Sequence, residues 1–219
     1  MLENIKAVIF DLDGTLIDSL WVWKQVDVDY LKKHGIKPPK DLQKHIEGLS
    51  FVDTAIYFKE QFGIKDSIED IMAEWHKMVS NYYSSVIEIK KGVKEFLQYL
   101  KSKKYKIGIA TSNSIELVKA VLQRNRILEY FEVIVTTDEV SKSKTEPDVF
   151  LEAAKRLNVS PKECLVFEDT ISGAIGAKKA GMKVIGVFDE NGSCSPEEFK
   201  EYVEHIIDDF QCIVENYCK

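Results

Sequence analysis

Ile5-Lys6-Ala7-Val8-Ile9-Phe10 runs directly into Asp11-Leu12-Asp13-Gly14-Thr15, and the reading of this junction decides the fold. A short apolar run of β-branched character reads as a strand buried within a parallel sheet. The two carboxylates then stand at the carboxyl end of that strand, where ligands bind in open α/β sheets. Acids this close repel one another unless a cation or a shared proton relieves them. A hard divalent ion such as Mg²⁺ does so and leaves one carboxylate oxygen free to attack. Gly14 permits the tight turn that follows. The competing reading is a pair of loop acids near a helix start, where Asp is common as a cap.

Outward from this junction the periodicity divides the chain into two kinds of segment. From Ser19 to Ser85 it is helical throughout. One helix carries Leu20, Trp23, Val26, Tyr30 and Leu31 and stops near Gly35, ahead of Pro38-Pro39. A second carries Val52, Ala55, Ile56, Phe58 and Phe62 up to Gly63, and a third Ile68, Ile71, Met72, Trp75, Val79 and Tyr82. From Gly92 onward, helices alternate with short apolar runs at 105–110, 133–135, 164–167 and 184–187. Val93, Phe96, Leu97 and Leu100 show the i, i+3, i+4, i+7 spacing of an amphipathic helix. Such alternation predicts an α/β fold with a doubly wound parallel sheet, Rossmann-like, carrying an inserted α-helical cap domain. The expected boundaries are 1–18 and 86–219 for the core and 19–85 for the cap. A cap after the first strand can exclude water and close over a substrate.

The chain has 219 residues, 45% hydrophobic and 30% charged, as expected of a globular protein with one core and a smaller insert. Its net charge of -6 argues against a nucleic-acid partner, which needs basic patches. Charges interrupt every apolar run before membrane-spanning length, so no membrane partner is expected either. Cys164, Cys194, Cys212 and Cys218 lack metal-type spacing and read as free thiols of a cytoplasmic protein, Cys164 as a small strand hydrophobe. The apolar start is too short for a signal peptide and reads as structure.

Three further strand ends carry chemistry. Thr111, Ser112 and Asn113 offer a hydroxyl and backbone N–H groups at a helix start, an anion-binding arrangement; a plain helix cap is the alternative. Lys144 precedes the Thr145-Glu146-Pro147-Asp148 helix start, where a cation opposes the helix dipole and calls for an anionic partner. Lys142 is its rival, and solvation on the surface the plain alternative. Glu168 and Asp169 end another strand and can complete a cation site with Asp11 and Asp13, unless Asp169 is only a cap. Oxygen-only ligation points to Mg²⁺ rather than zinc.

This order of motifs, D-x-D-G-T, T-S-N, Lys before Pro-Asp, then F-E-D-T, resembles the haloacid dehalogenase (HAD) superfamily from Ile5 to about Val187. The helical insert resembles its α-helical cap class, which includes β-phosphoglucomutases and phosphoglycolate phosphatases. The resemblance implies Asp11 as nucleophile, forming an aspartyl-phosphate, and Asp13 as general acid/base with its backbone carbonyl on the metal. It implies Leu12, Thr111, Ser112, Asn113 and Lys144 around the phosphoryl group, with Lys144 also compensating Asp11. Asp169 would bind Mg²⁺ directly, with Glu168 beside it. Thr145 departs from the family's usual Pro, which concerns loop stiffness more than charge.

The expected activity is Mg²⁺-dependent hydrolysis of a small phosphorylated metabolite, such as a sugar or polyol phosphate, by a monomer or weak homo-oligomer. A halide leaving group needs no acid, so Asp13 disfavours dehalogenation. Mutase relatives carry a cap Arg after a Gly-Val-Ser element and a His near the hinge. Here Phe51 follows Gly48-Leu49-Ser50, and Trp23 stands about where the His belongs, which favours simple hydrolysis. No Schiff-base Lys for phosphonate hydrolysis can be placed. A non-enzymatic, phosphate-responsive module is the alternative of another class, and the large cap argues against it. Trp21, Trp23, Phe51 and His45 read first as cap core. Asp18 and Ser19, nearer the hinge, are better substrate contacts, while His34, His76 and His205 read as solvated or helix-end residues.

Overall fold

The computed structural model describes residues 1–46, 51–192 and 194–217; the Gly48-Leu49-Ser50 element and Cys218 lie outside them. The opening apolar run forms β1 (Ala7–Phe10), with all four residues buried. Helices α1 (Trp21–Lys33), α2 (Leu42–Ile46), α3 (Phe51–Phe62) and α4 (Ile68–Ser85) follow. Then come α5 (Val93–Ser102), β2 (Lys106–Thr111), α6 (Ile115–Arg124), β3 (Val133–Thr136), α7 (Thr137–Val140) and α8 (Asp148–Leu157). The chain closes with β4 (Cys164–Glu168), α9 (Ile171–Lys179), β5 (Lys183–Val187), α10 (Pro196–Phe199), β6 (His205–Ile207) and α11 (Gln211–Tyr217).

All strand pairings are parallel, and the sheet order is β3-β2-β1-β4-β5-β6. The winding runs outward from β1 to β3 and then reverses through β4 on the other side. Ligand crevices in doubly wound sheets form at that reversal, outside the carboxyl ends of the strands. Amphipathic crossovers cover the sheet. In α8, Val149, Phe150, Ala153, Ala154 and Leu157 are buried, with Asp148 in the first turn and Lys155 and Arg156 in the last, matching the helix dipole.

By internal contacts the chain divides into Met1–Ser19 with Ile87–Lys219, and Leu20–Val86. At the two crossings, Ile17 bridges Ile89 and Asp18 N–H donates to the Glu88 carbonyl at 3.0 Å. Within the helical unit, α1 and α3 both pack on α4. Their meeting point is aromatic: Trp75 touches Tyr30 and Phe58 edge-on, with centroids 5.6 and 5.0 Å apart. Tyr82 on α4 donates its hydroxyl to Asp29 on α1 at 2.7 Å. Trp23 departs from the core reading: it is 44% exposed, its ring meeting Phe51 edge-on.

Sequence periodicity missed the short helices α2 and α7, placed β2, β3 and β4 one residue short at their carboxyl ends, and missed β6 and α11. The reason is packing at a distance. Phe210, between β6 and α11, is fully buried against Phe10, Phe96 and Phe167 at centroid distances of 5.8, 5.6 and 5.1 Å. A three-residue strand has too little pattern of its own to be seen without that anchor. Phe210→Ala removes the ring from this cluster and should destabilise the protein by about 3–5 kcal/mol, read from urea unfolding. A loss under about 1 kcal/mol would show that the carboxyl-terminal segment is not fastened there.

Candidate active site

The register between β1 and β4 builds the site. Phe10 pairs with Phe167, and the Asp11 N–H extends the ladder to the Phe167 carbonyl at 2.9 Å. Asp11 therefore leaves the sheet beside Glu168, the last residue of β4, and Asp169 follows. One carboxylate oxygen from each of Asp11, Glu168 and Asp169 lies within 4.8 Å of the others, and all three residues are buried. Lys144, in the segment between α7 and α8, is only 8% exposed. Its Nζ pairs with Asp11 Oδ1 and lies 2.7 Å from Glu168 Oε2. Lys142 is exposed, so burial singles out Lys144.

Neighbouring side chains hold the acids. Thr15 donates its hydroxyl to Asp169 Oδ1 at 3.2 Å. Thr170 gives both its N–H and its hydroxyl to Glu168 Oε1, at 3.1 and 2.6 Å, and accepts from Gly173 N–H as the cap of α9. Asp169 is therefore not the cap, which leaves its carboxylate for the cluster. The Cys194 thiol lies 3.7 Å from the Asp169 carbonyl oxygen. Thr15 was visible in the motif; the parts of Thr170 and Cys194 emerge only in three dimensions.

Charge balance is the decisive property. Among the described residues, three buried carboxylates face one ammonium. Burial, then the charges of Glu168 and Asp13, push the Asp11 carboxyl up to about 7 against the relief that Lys144 provides. Burial, then Asp11 and Glu168, hold Asp169 well above the usual carboxylate range. Burial alone would lower Lys144, but the Asp11 and Glu168 charges prevail and raise it, keeping it an ammonium. Fully buried Glu168 Oε2 has that ammonium beside it but no directed hydrogen bond among the described residues. A cluster of oxygens with surplus negative charge fits a hard divalent cation held by Asp11, Asp169 and Glu168.

Asp13 stands apart from this cluster. Ser19 donates to its Oδ1 at 2.7 Å and the Asn113 amide to its Oδ2 at 2.8 Å. Gly14 beside it takes the left-handed backbone, φ 73°, and the Leu12 carbonyl accepts N–H groups from Leu16 and Ile17 at 2.9 and 3.1 Å. That tight turn aims the two acids differently. Leu12 is fully buried, Thr111 is 1% exposed, and Ser112 is exposed. Thr111 Oγ1 accepts from Asn113 N–H at 3.1 Å. The cap of α6 is Ser114 rather than any of the three preceding residues. Ser19 joins the site through Asp13, a partnership that sequence proximity to the hinge only hinted at.

The sequence model described as haloacid dehalogenase-like hydrolase matches residues 8–187. The chain belongs to the haloacid dehalogenase-like hydrolases. Among family members, a phosphorylated carbohydrates phosphatase of Thermotoga maritima is 33% identical, covering 83% of this chain and 84% of its own. A (DL)-glycerol-3-phosphatase of Arabidopsis thaliana is 31% identical over 95% of this chain and 90% of its own. A crystal structure of a candidate β-phosphoglucomutase from Thermotoga maritima superposes with TM-score 0.88 at 28% identity, covering 97% of this chain and 100% of that one. No described helix is long and apolar enough to cross a membrane.

The raised Asp11 carboxyl makes a prediction for metal-free protein. Its folded value, about 7, exceeds the ordinary 3.8, so the native state holds the extra proton. The associated stability is complete below about pH 4 and is lost as pH rises through about 7. Asp11→Asn should therefore raise the thermal midpoint in chelator at pH 8 by several degrees and flatten its decline from pH 4. A variant that melts earlier than wild type at pH 8 would contradict this charge balance.

Proposed function

We propose that this hydrolase is a Mg²⁺-dependent phosphatase acting on a small phosphomonoester, a sugar or polyol phosphate, through an aspartyl-phosphate on Asp11. The observation that carries the reading is the buried trio of carboxylates around the Lys144 ammonium at the ends of β1 and β4. The phosphatase names of relatives alike over most of their length support it. In this reading 1–18 and 86–219 form the catalytic core, and the helical segment 19–85 is the cap that selects substrate.

Phosphoryl transfer needs little covalent help beyond a nucleophile, so positioning and charge neutralisation supply most of the rate. Lys144 neutralises phosphoryl oxygens and favours the ionised Asp11. Thr111, with the backbone N–H groups around Leu12 and Ser112, receives the remaining oxygens, and Asn113 holds the Thr111 hydroxyl in place through its own N–H. An Asp11 oxygen attacks phosphorus in line; the bond from phosphorus to the ester oxygen breaks, and Asp13 delivers its proton to the departing alkoxide. Water then attacks the aspartyl-phosphate, giving its proton to Asp13, and the acyl-phosphate P–O bond breaks to release inorganic phosphate and free Asp11. Ser19 and Asn113 orient the Asp13 carboxylate for both transfers. Asp11, Asp169 and Glu168, with the Asp13 backbone carbonyl, would hold Mg²⁺, which when bound supplies positive charge to the transferring group.

A second reading, phosphosugar mutase, draws on the structural likeness to the candidate β-phosphoglucomutase. A mutase must grip a second phosphate, and no arginine occurs between Leu20 and Val86. The bidentate partner that such recognition favours is missing from that segment, so hydrolysis is the reading supported.

A panel of metabolite phosphates with Mg²⁺ should yield catalytic phosphate release that vanishes in chelator. Asp11→Asn should lose essentially all turnover, and Asp13→Asn about 10²–10⁴ in kcat. Turnover persisting in Asp11→Asn would defeat the nucleophile assignment. In the same panel, β-glucose 1-phosphate primed with bisphosphate should give free sugar and no isomerised phosphate; isomer formation would favour the mutase.

A further inference from the structure

Two glycines one turn apart on α9 lie against the charged cluster. A Cβ built on Gly176 would overlap the Lys144 carbonyl oxygen and come within 2.8 Å of the Glu146 carbonyl oxygen. A Cβ on Gly173 would overlap the Glu168 carboxylate itself. Neither glycine has a left-handed backbone, so conformational freedom does not explain them; close approach does. In helix interiors glycine costs about 1 kcal/mol against alanine, and both positions accept that cost where they meet Lys144 and Glu168. Just beyond them, Lys179 pairs with Glu146 at 2.9 Å, and Glu146 N–H turns back to the Ser143 carbonyl at 3.0 Å. The segment carrying Lys144 is thus laid onto α9 at Gly176 and tied to it again at Lys179.

We infer that Gly176, with Gly173, is a positioning residue for phosphoryl transfer: the bare face of α9 lets the Lys144 backbone and Glu168 carboxylate approach closely enough to hold the ammonium between Asp11 and Glu168. This rests on the phosphatase reading of Lys144. An added methyl at Gly176 meets backbone, which cannot rotate away, so the Lys144 segment must move by roughly an ångström. Misplacements of that size cost up to about a hundredfold in rate.

The test is a double-mutant cycle on phosphate release. Gly176→Ala should keep a cooperative thermal transition and lower kcat on the order of ten- to a hundredfold, with KM changed less than about threefold. In a Lys144→Ala background the same substitution should cost almost nothing further, because the group it positions is gone. A structural effect alone would be additive. Should Gly176→Ala not fold, Gly173→Ala enters the same cycle, reaching Lys144 through Glu168. Wild-type kcat in a folded Gly176→Ala, or full additivity with Lys144→Ala, overturns the positioning role. A wild-type chain that releases no phosphate defeats the underlying phosphatase reading instead, so the two failures are distinct.

Discussion

Asp11, Glu168 and Asp169 bring three buried carboxylates together, and among the described residues Lys144 is the ammonium that pairs with them. Isolated buried charges are costly enough that proteins neutralise or pair them. One lysine cannot balance three acids. The arrangement is therefore stable only with protons on the acids or with a further cation among them, and both solutions make the cluster responsive to its surroundings. The raised Asp11 and Asp169 carboxyls express the first solution; a divalent ion is the second. An electrically incomplete site is what a group with several anionic oxygens can be brought to, once the missing positive charge arrives.

The fold serves this constraint. Parallel pairing of β1 with β4 aligns their carboxyl ends, so that Asp11 and Glu168 emerge side by side from unrelated parts of the chain. Rigid strands fix them better than loops could. The aromatic cluster of Phe10, Phe96, Phe167 and Phe210 lies beneath, directly before the acids in β1 and β4. Packing energy in those rings offsets the cost of holding like charges together. α9 completes the support, with glycines where a larger residue would displace Glu168 and the Lys144 backbone.

Much of this was readable in the residues, and what was not has physical causes. Buried parallel strands advertise themselves as unbroken apolar runs, which is why β1, β2, β4 and β5 stand out. β6 is too short to carry a pattern, and its place depends on Phe210 meeting rings from three other elements. At the site, acids at strand ends were legible as candidates, because a close pair at that location favours a cation or shared proton, while the helix-cap alternative stayed open until Thr170 was seen to cap α9. The choice between Lys142 and Lys144 did not, because burial is a property of the folded chain. Ser19 near the hinge and Thr170 in the F-E-D-T run stood in view, but hydroxyls are common near helix starts, and only coordinates show which carboxylate each one serves. Gly173 and Gly176 belong to the small-residue run 173–177, which carries no hint of the lysine segment laid against it.

Isothermal titration of MgCl₂ into metal-free protein in two buffers of different protonation enthalpy probes the central balance of charge directly. One ion should bind per chain near pH 7 with net release of protons, as the raised carboxyls give theirs up, and Asp169→Asn should abolish or strongly weaken binding. Absence of binding at millimolar Mg²⁺, or unchanged binding without proton release in Asp169→Asn, would contradict the claim that these buried acids form a cation site.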